Sequence, residues 1–209
     1  MNIVISTLMH GRHDTSLYCL RKNREAGIDT FVYCYTTEAD GKWCNEQRVH
    51  STQAPNQISL KAQRSLQVCR FIDCDAVMLM GSDDYIDAAT LEKLTLLLED
   101  HDYISFRSIL FEQGSTKYLW PGYPQTTARY GEPAGAGKLL RRDLLDALDW
   151  RVFTGENDSG GDYDAHRSAS AKAQSPIQVG AEEGYLLVDV KDSDSMTPIK
   201  KFKYLKTWL

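Results

Sequence analysis

The sequence is short of everything that would take a chain of 209 residues away from an ordinary globular domain. It has no apolar run near the ~18 residues that a membrane helix needs, and Met1 to Ser6 reads as a strand stub, too short for a signal peptide. Its five cysteines, Cys19, Cys34, Cys44, Cys69 and Cys74, are odd in number, scattered and without a C-x-x-C pair. That spacing supports neither a disulfide framework nor a zinc knuckle, and a reducing cytoplasm is the expected setting. There is no excess of positive charge either. Twenty-four Lys and Arg stand against 29 Asp and Glu, a net of −5, which argues against coating nucleic acid or membrane by bulk electrostatics. No internal repeat is visible. What is present, 42% hydrophobic and 25% charged residues, suits one compact domain that folds without a metal or disulfide staple.

Along the chain, Ile3-Val4-Ile5 is a β-branched run of the kind found in strands buried on both faces. A helix is expected from Asp14, with Leu17 and Leu20 on one side and Gly27 as its stop. A strand follows over Thr30–Tyr35, then a long polar loop over Thr36–Gln57, a helix over Ile58–Ile72 and a central strand over Ala76–Met80. Alternation of strand and helix predicts a mostly parallel sheet with crossover helices. Asp87 is the expected N-cap of a helix running to Glu99.

Beyond residue 100, Tyr103–Phe111 and Lys117–Trp120 read as an antiparallel pair around Gly114. A Pro- and Gly-containing stretch, 121–137, leads to a helix near Arg142–Leu148. Asn157–Gly161 reads as a mobile loop before a helix from Asp162. Strands near Ile177–Val179 and Tyr185–Val190 follow. The tail from Lys200, with four lysines among Phe202, Tyr204 and Trp208, reads as a solvated helix with an apolar face.

The strongest chemical signal is Gly81-Ser82-Asp83-Asp84 at the carboxyl end of the third strand, where open α/β sheets bind their ligands. Adjacent carboxylates there suit Mg²⁺ or Mn²⁺ shared with substrate phosphates; the competing reading is that Asp83, Asp84 and Asp87 cap the next helix. Asp162 and Asp164 open a later helix. Each is either a first-turn acid complementing the helix dipole or a general base. His10-Gly11-Arg12-His13 follows the first strand as a phosphate-binding alternative. Gly135-Ala136-Gly137-Lys138 lacks the flanking residues of a P-loop or a dinucleotide fingerprint.

Together these residues resemble the GT-A glycosyltransferases, particularly the family 2 type, over roughly Asn2 to Val190. The resemblance rests on the first strand ending at Ser6-Thr7, Lys61 and Arg64 in the helix before the central strand, the tip Ser82-Asp83-Asp84-Tyr85 and the late Gly161-Asp162-Tyr163-Asp164. It implies an α/β fold with a mostly parallel sheet and a smaller antiparallel acceptor-side part. About 1–100 would form the nucleotide-sugar half, about 101–190 the acceptor half and 191–209 a basic tail. It further implies a nucleotide-sugar donor, a UDP-sugar first among them, with Mn²⁺ or Mg²⁺ on Asp83 and Asp84 and inverting transfer with Asp162 as base and Asp164 in reserve. Thr7, Asp40, Arg64, Ser82 and Lys191 become donor-side candidates, and Gly137 and Lys138 acceptor-side candidates; from the residues themselves, Trp120 in Trp120-Pro121-Gly122-Tyr123-Pro124 is either an aromatic floor for a sugar or flat base on the acceptor side or a core side chain. The first acid of the family's Asp-x-Asp triplet is Gly81 here, so its contact must come from elsewhere.

The acceptor is expected to be a hydroxyl, either on a hydroxymethylated pyrimidine in DNA, as virus-encoded members of the family use, or in surface-polysaccharide assembly. Two other classes stay open: a nucleotidyltransferase working through His10 and His13, and a nucleotide-binding module without turnover.

Overall fold

The computed structural model describes residues 1–153, 161–195, 197–202 and 204–208. The expected loop at Asn157–Gly161 therefore lies largely outside the described residues, as does Lys203 of the tail.

A seven-stranded sheet in the order β10-β6-β9-β4-β1-β2-β3 forms the centre. Its strands are β1 (Ile3–Leu8), β2 (Thr30–Tyr35), β3 (His50–Gln53), β4 (Ala76–Gly81), β6 (Tyr103–Phe106), β9 (Lys138–Arg141) and β10 (Pro176–Val179). All run parallel except β9, which is inserted antiparallel between β4 and β6. Side chains alternate with the two-residue strand period. Ile3, Ile5, Met78 and Met80 enter one core layer with Leu20, Trp43 and Leu94, from helices α1 (His13–Glu25), α2 (Glu38–Glu46) and α4 (Ala88–Asp100). Val4, Val77 and Leu79 enter the other with Leu66, Leu144, Leu145 and Ala165, from α3 (Ile58–Cys69), α5 (Arg142–Ala147) and α6 (Gly161–Ser170). Continuous apolar runs in β1 and β4 thus reflect a sheet covered on both sides.

A second sheet, β12-β8-β7-β11-β5, is built from β5 (Asp84–Ile86), β7 (Ile109–Gln113), β8 (Thr116–Trp120), β11 (Leu187–Val190) and β12 (Lys206–Trp208). It is antiparallel except for the pair β7 and β11. The two sheets interleave along the chain, since β5 joins the small sheet while β6, β9 and β10 join the large one.

Three local expectations change. Thr36–Gln57 is not a loop: Thr37 accepts a hydrogen bond from the Asp40 amide and caps α2, and β3 follows as a polar edge strand. Little apolar periodicity marks this segment, because α2 buries chiefly Trp43 and Cys44. Tyr103–Phe111 is two strands, broken where the Arg107 amide donates to the Val179 carbonyl and the chain changes sheets. The tail forms a 3₁₀ turn at Ile199–Lys201 and strand β12 rather than a helix. It is held by the Phe202 ring on Phe111 (4.2 Å) and by pairing with β8. Lys138–Arg141, for which the sequence predicted no element, is the reversed strand β9.

Gly137 precedes β9 with φ +80, and a Cβ there would lie 2.5 Å from Leu187 Cδ2 and 2.7 Å from Phe106 Cδ2. Gly137→Ala should therefore destabilise the fold by about 2 kcal/mol or more, combining a left-handed backbone with overpacking. Urea denaturation checks this; an unchanged midpoint would mean that the hinge between the sheets is not tight.

Candidate active site

A cavity of about 340 Å³ opens at the carboxyl ends of β1 and β4, lined by both sheets, by the 135–138 segment and by α3 and α6. Its acidic corner forms because β4 ends at Gly81 and the chain turns straight into β5. Asp84 then faces Asp189 of β11 in register, and Asp83 stands beside them. One carboxylate oxygen from each of Asp83, Asp84 and Asp189 lies within 4.8 Å of the others. Asp189 also has a buried Oδ1 with no hydrogen-bond partner among the described residues.

Burial, then the charges of Asp189 and Asp83, push the Asp84 carboxyl well above the usual range. Burial and Asp83 push Asp189 up to about 7 against the pull of Lys191. Three hard oxygen donors brought together against this repulsion are a donor set that fits Mg²⁺ or Mn²⁺.

Asp83 and Asp84 do not cap α4. That role belongs to Asp87, whose Oδ1 accepts from the Thr90 amide at 2.8 Å. Gly81 in the triplet's first place also has a local reason. Its amide donates to Asp84 Oδ2 at 2.5 Å, and a Cβ at 81 would sit 2.5 Å from Asp83 Oδ1. A side chain at 81 would require the Asp83 and Asp84 carboxylates to move, and in this chain the third carboxylate of the corner comes from Asp189.

Two cations balance the corner. Lys191 Nζ lies 2.5 Å from Asp189 Oδ2. Arg12, held in a left-handed turn with φ 45 between β1 and α1, reaches Asp83 at 2.6 Å and Asp192 at 2.8 Å. Burial works against ionisation of Asp192, yet bonds from Arg12 and Thr15 hold it down at about 2.

Asp162 lines the same cavity from the first turn of α6, where Arg129 Nη2 reaches its Oδ2 at 3.3 Å. Arg129 is itself paired to Glu132 at 2.6 Å and lies over the Tyr123 ring at 4.2 Å. Apolar side chains of Leu8, Ile58, Ala62, Leu79 and Phe153 complete the lining.

Ser82, Asp83, Asp84, Lys138, Asp162 and Lys191 are thus brought together as cavity residues. Several other sequence candidates are not. Thr7 is buried within β1 and does not line the cavity. Arg64 is on the exposed side of α3, whereas Lys61, three residues earlier, turns inward and donates to the Met9 carbonyl at 2.6 Å. Asp40 is buried away from the cavity on His13 Nε2 at 2.8 Å. Trp120 packs in the small sheet's core, edge-on to Tyr123 at 5.0 Å, and offers no floor to a sugar. Gly137 is enclosed as described, and Asp164 does not reach the lining.

His10 lines the cavity with Nδ1 3.3 Å from Lys61 Nζ, while His13 is engaged by Asp40, so the two histidines do not form a phosphate-binding pair. Asp189, Arg12, Asp192 and Arg129 were not among the sequence candidates. A lone acid inside the apolar run Leu186-Leu187-Val188-Asp189-Val190 was the available signal for Asp189, and the place of Arg12 within His10-Gly11-Arg12-His13 was the signal for Arg12; Asp192 and Arg129 carry none. Among the described residues, no helix is long and apolar enough to cross a membrane.

No known protein family matches this sequence, and no curated protein is similar to it. Solved structures are. TarS residues 1–349 of S. aureus in complex with UDP-GlcNAc superposes with a TM-score of 0.65 at 13% identity, over 93% of this chain and 60% of that one. The same protein with UDP gives 0.65 at 14% identity, over 91% and 60%. The mannosyltransferase PcManGT from Pyrobaculum calidifontis, in complex with GDP-Man and Mn²⁺, gives 0.59 at 12% identity, over 93% and 58%. This chain spans about three fifths of the length of those structures. That likeness, over nine tenths of this chain, together with its seven-stranded mostly parallel sheet and second small sheet, shows the fold: the chain has the GT-A fold.

Proposed function

We propose that this chain transfers a glycosyl group from a nucleotide-sugar, a UDP-sugar in the first instance, to an acceptor hydroxyl with inversion at the anomeric carbon. The observation that carries the reading is one cavity with two chemistries on its walls: three converging carboxylates at the strand tip, and Asp162 on α6. The ligands of the structural neighbours, UDP-GlcNAc in TarS and GDP-Man with Mn²⁺ in PcManGT, belong to the class such a cavity would take.

Asp83, Asp84 and Asp189 would hold Mn²⁺ or Mg²⁺, whose chemistry when bound is to neutralise charge on a departing diphosphate. Arg12 and Lys191 add fixed positive charge at that corner. Asp162 takes the proton from the acceptor hydroxyl as its oxygen bonds to the anomeric carbon and the bond from that carbon to the diphosphate oxygen breaks. In-line placement of the two oxygens on opposite faces of the sugar inverts the configuration, and the apolar lining keeps competing water out.

Calorimetric titration of the chain with UDP, UDP-GlcNAc and GDP-Man, with and without Mn²⁺, tests this. At least one should bind with Mn²⁺ and bind at least ~10-fold more weakly without it or in Asp83→Ala. Equal binding by Asp83→Ala, or no binding at all, overturns the reading. Product analysis separates transfer from binding without turnover. Its acceptor panel should include hydroxymethylated DNA, because Lys200, Lys201 and Lys206 of the tail are exposed.

A further inference from the structure

Lys138 is a buried amine that the proposed reaction leaves without a task. Its side chain is 1% exposed although it lines the cavity. Nζ donates to the carbonyls of Ala134 (2.9 Å) and Gly135 (2.5 Å), which accounts for two of an ammonium's three donors. Among the described residues no carboxylate lies within ion-pair distance of it. In the ladder between β9 and β4, Lys138 is opposite Leu79, so its side chain leaves the sheet on the face that Leu79 lines, toward α6. Lys138, Asp84 and Asp162 line the same cavity, and Gly135, whose carbonyl the amine holds, lies against Asp162: a Cβ there would be 3.2 Å from Asp162 Oδ2. Burial lowers its pKa to about 8, so it is still mostly cationic at neutral pH.

We propose that Lys138 is a specificity-determining residue for the transferred sugar, its remaining N–H donating to an oxygen of the glycosyl group lodged between Asp84 and Asp162. This rests on the glycosyltransferase reading and adds to it. The diphosphate has its own cations in Arg12 and Lys191. The acceptor oxygen has to meet Asp162. The sugar must join those two points, and Lys138 is a buried donor on the wall of the cavity that holds both. An ammonium in so dry a place selects for an oxygen that replaces lost water, either a ring hydroxyl or the carboxylate of a uronosyl group.

The test compares wild type with Lys138→Met, which keeps length and removes charge. Mn²⁺-dependent affinity is measured for UDP and GDP and for UDP-glucose, UDP-GlcNAc, UDP-glucuronic acid and GDP-Man. For the conjugate that wild type binds best, Lys138→Met should lose at least ~10-fold, while the parent diphosphate stays within about twofold. Preference for UDP-glucuronic acid would identify the carboxylate, and preference for a neutral sugar the hydroxyl. Equal loss for conjugate and diphosphate would mean that Lys138 only pins the Ala134–Gly135 segment, and no loss would mean that it does not reach the sugar; either overturns the proposal. Should Lys138→Met not fold, the ¹⁵Nζ resonance of Lys138 in wild type, assigned through Lys138→Arg, must move with the sugar conjugate and not with the bare diphosphate. Absence of Mn²⁺-dependent diphosphate binding in wild type would instead remove the underlying glycosyltransferase reading.

Discussion

Asp162→Asn should lower kcat for glycosyl transfer by about 10²–10⁴-fold while the nucleoside diphosphate binds as it does to wild type. The substitution keeps the shape of the side chain and its oxygen toward Arg129, which lies 3.3 Å from Asp162 Oδ2, and removes only the capacity to accept a proton. Donor binding should be spared, because the acidic corner and its cations sit on other elements. Asp164→Asn is the matching control. That residue is in the same first turn but does not line the cavity, and its replacement should leave kcat within about threefold. Steady-state kinetics with the best nucleotide-sugar decide the matter. If Asp162→Asn retains a fifth or more of the wild-type kcat, the base is elsewhere.

The second large effect belongs to Asp189. Asp189→Asn should weaken Mn²⁺ binding by about 10²-fold and reduce metal-stimulated turnover accordingly, since it removes one of three converging charges. The same variant has a signature in the metal-free protein. Burial and the charge of Asp83 raise Asp189 to about 7, above the roughly 3.9 of an unfolded Asp. The folded state therefore binds more protons than the unfolded state between those values. This carboxylate stabilises the metal-free fold at low pH, and that stabilisation is lost as pH rises through about 7.

His10, whose pKa burial lowers, works in the opposite sense but is common to both proteins. Asp192, held at about 2, loses its contribution only below this window. In EDTA, the melting temperature of wild type minus that of Asp189→Asn should thus be larger at pH 5 than at pH 7.5, by at least ~2 °C. Saturating Mn²⁺ should reverse the trend in wild type, because metal binding requires the deprotonated carboxylates. A pH-independent difference between the two proteins, together with unchanged Mn²⁺ affinity, would show that Asp189 is not part of the corner.

Strand positions β1, β2 and β4 were legible because a strand covered on both faces must be apolar at every position, and Ile3-Val4-Ile5 and Ala76–Met80 are. Helices α1, α3 and α4 were legible by their spacing, and Asp87 by its capping chemistry. Segments whose neighbours supply the stabilisation were not. The polar helix α2 buries only a small apolar face. The tail strand β12 depends on an edge of β8 and on the Phe111 ring under Phe202. The break between β6 and β7 lies inside an unbroken apolar run, since both halves are buried, in different sheets. Trp120 was ambiguous for a related reason: an aromatic beside Pro121 and Gly122 suits a sugar platform or a core, and contact with Tyr123, Phe111 and Phe202 makes it core.

By itself, then, the sequence determined the alternation that builds a mostly parallel sheet, the place of the acidic pair at a strand tip, and the acids that open α6. These follow from short-range rules of period, turn and cap, which neighbouring residues satisfy among themselves. Only the tertiary structure decided that Asp189 completes the corner, that the Gly81 amide holds Asp84, that Lys61 rather than Arg64 faces inward and that Lys138 lines one cavity with the corner and Asp162. Each of these depends on the distance and direction between atoms that lie far apart along the chain, as Asp84 and Asp189 do across paired strands. Electrostatics and hydrogen bonding act over a few ångströms, so the site exists only once packing has closed those distances.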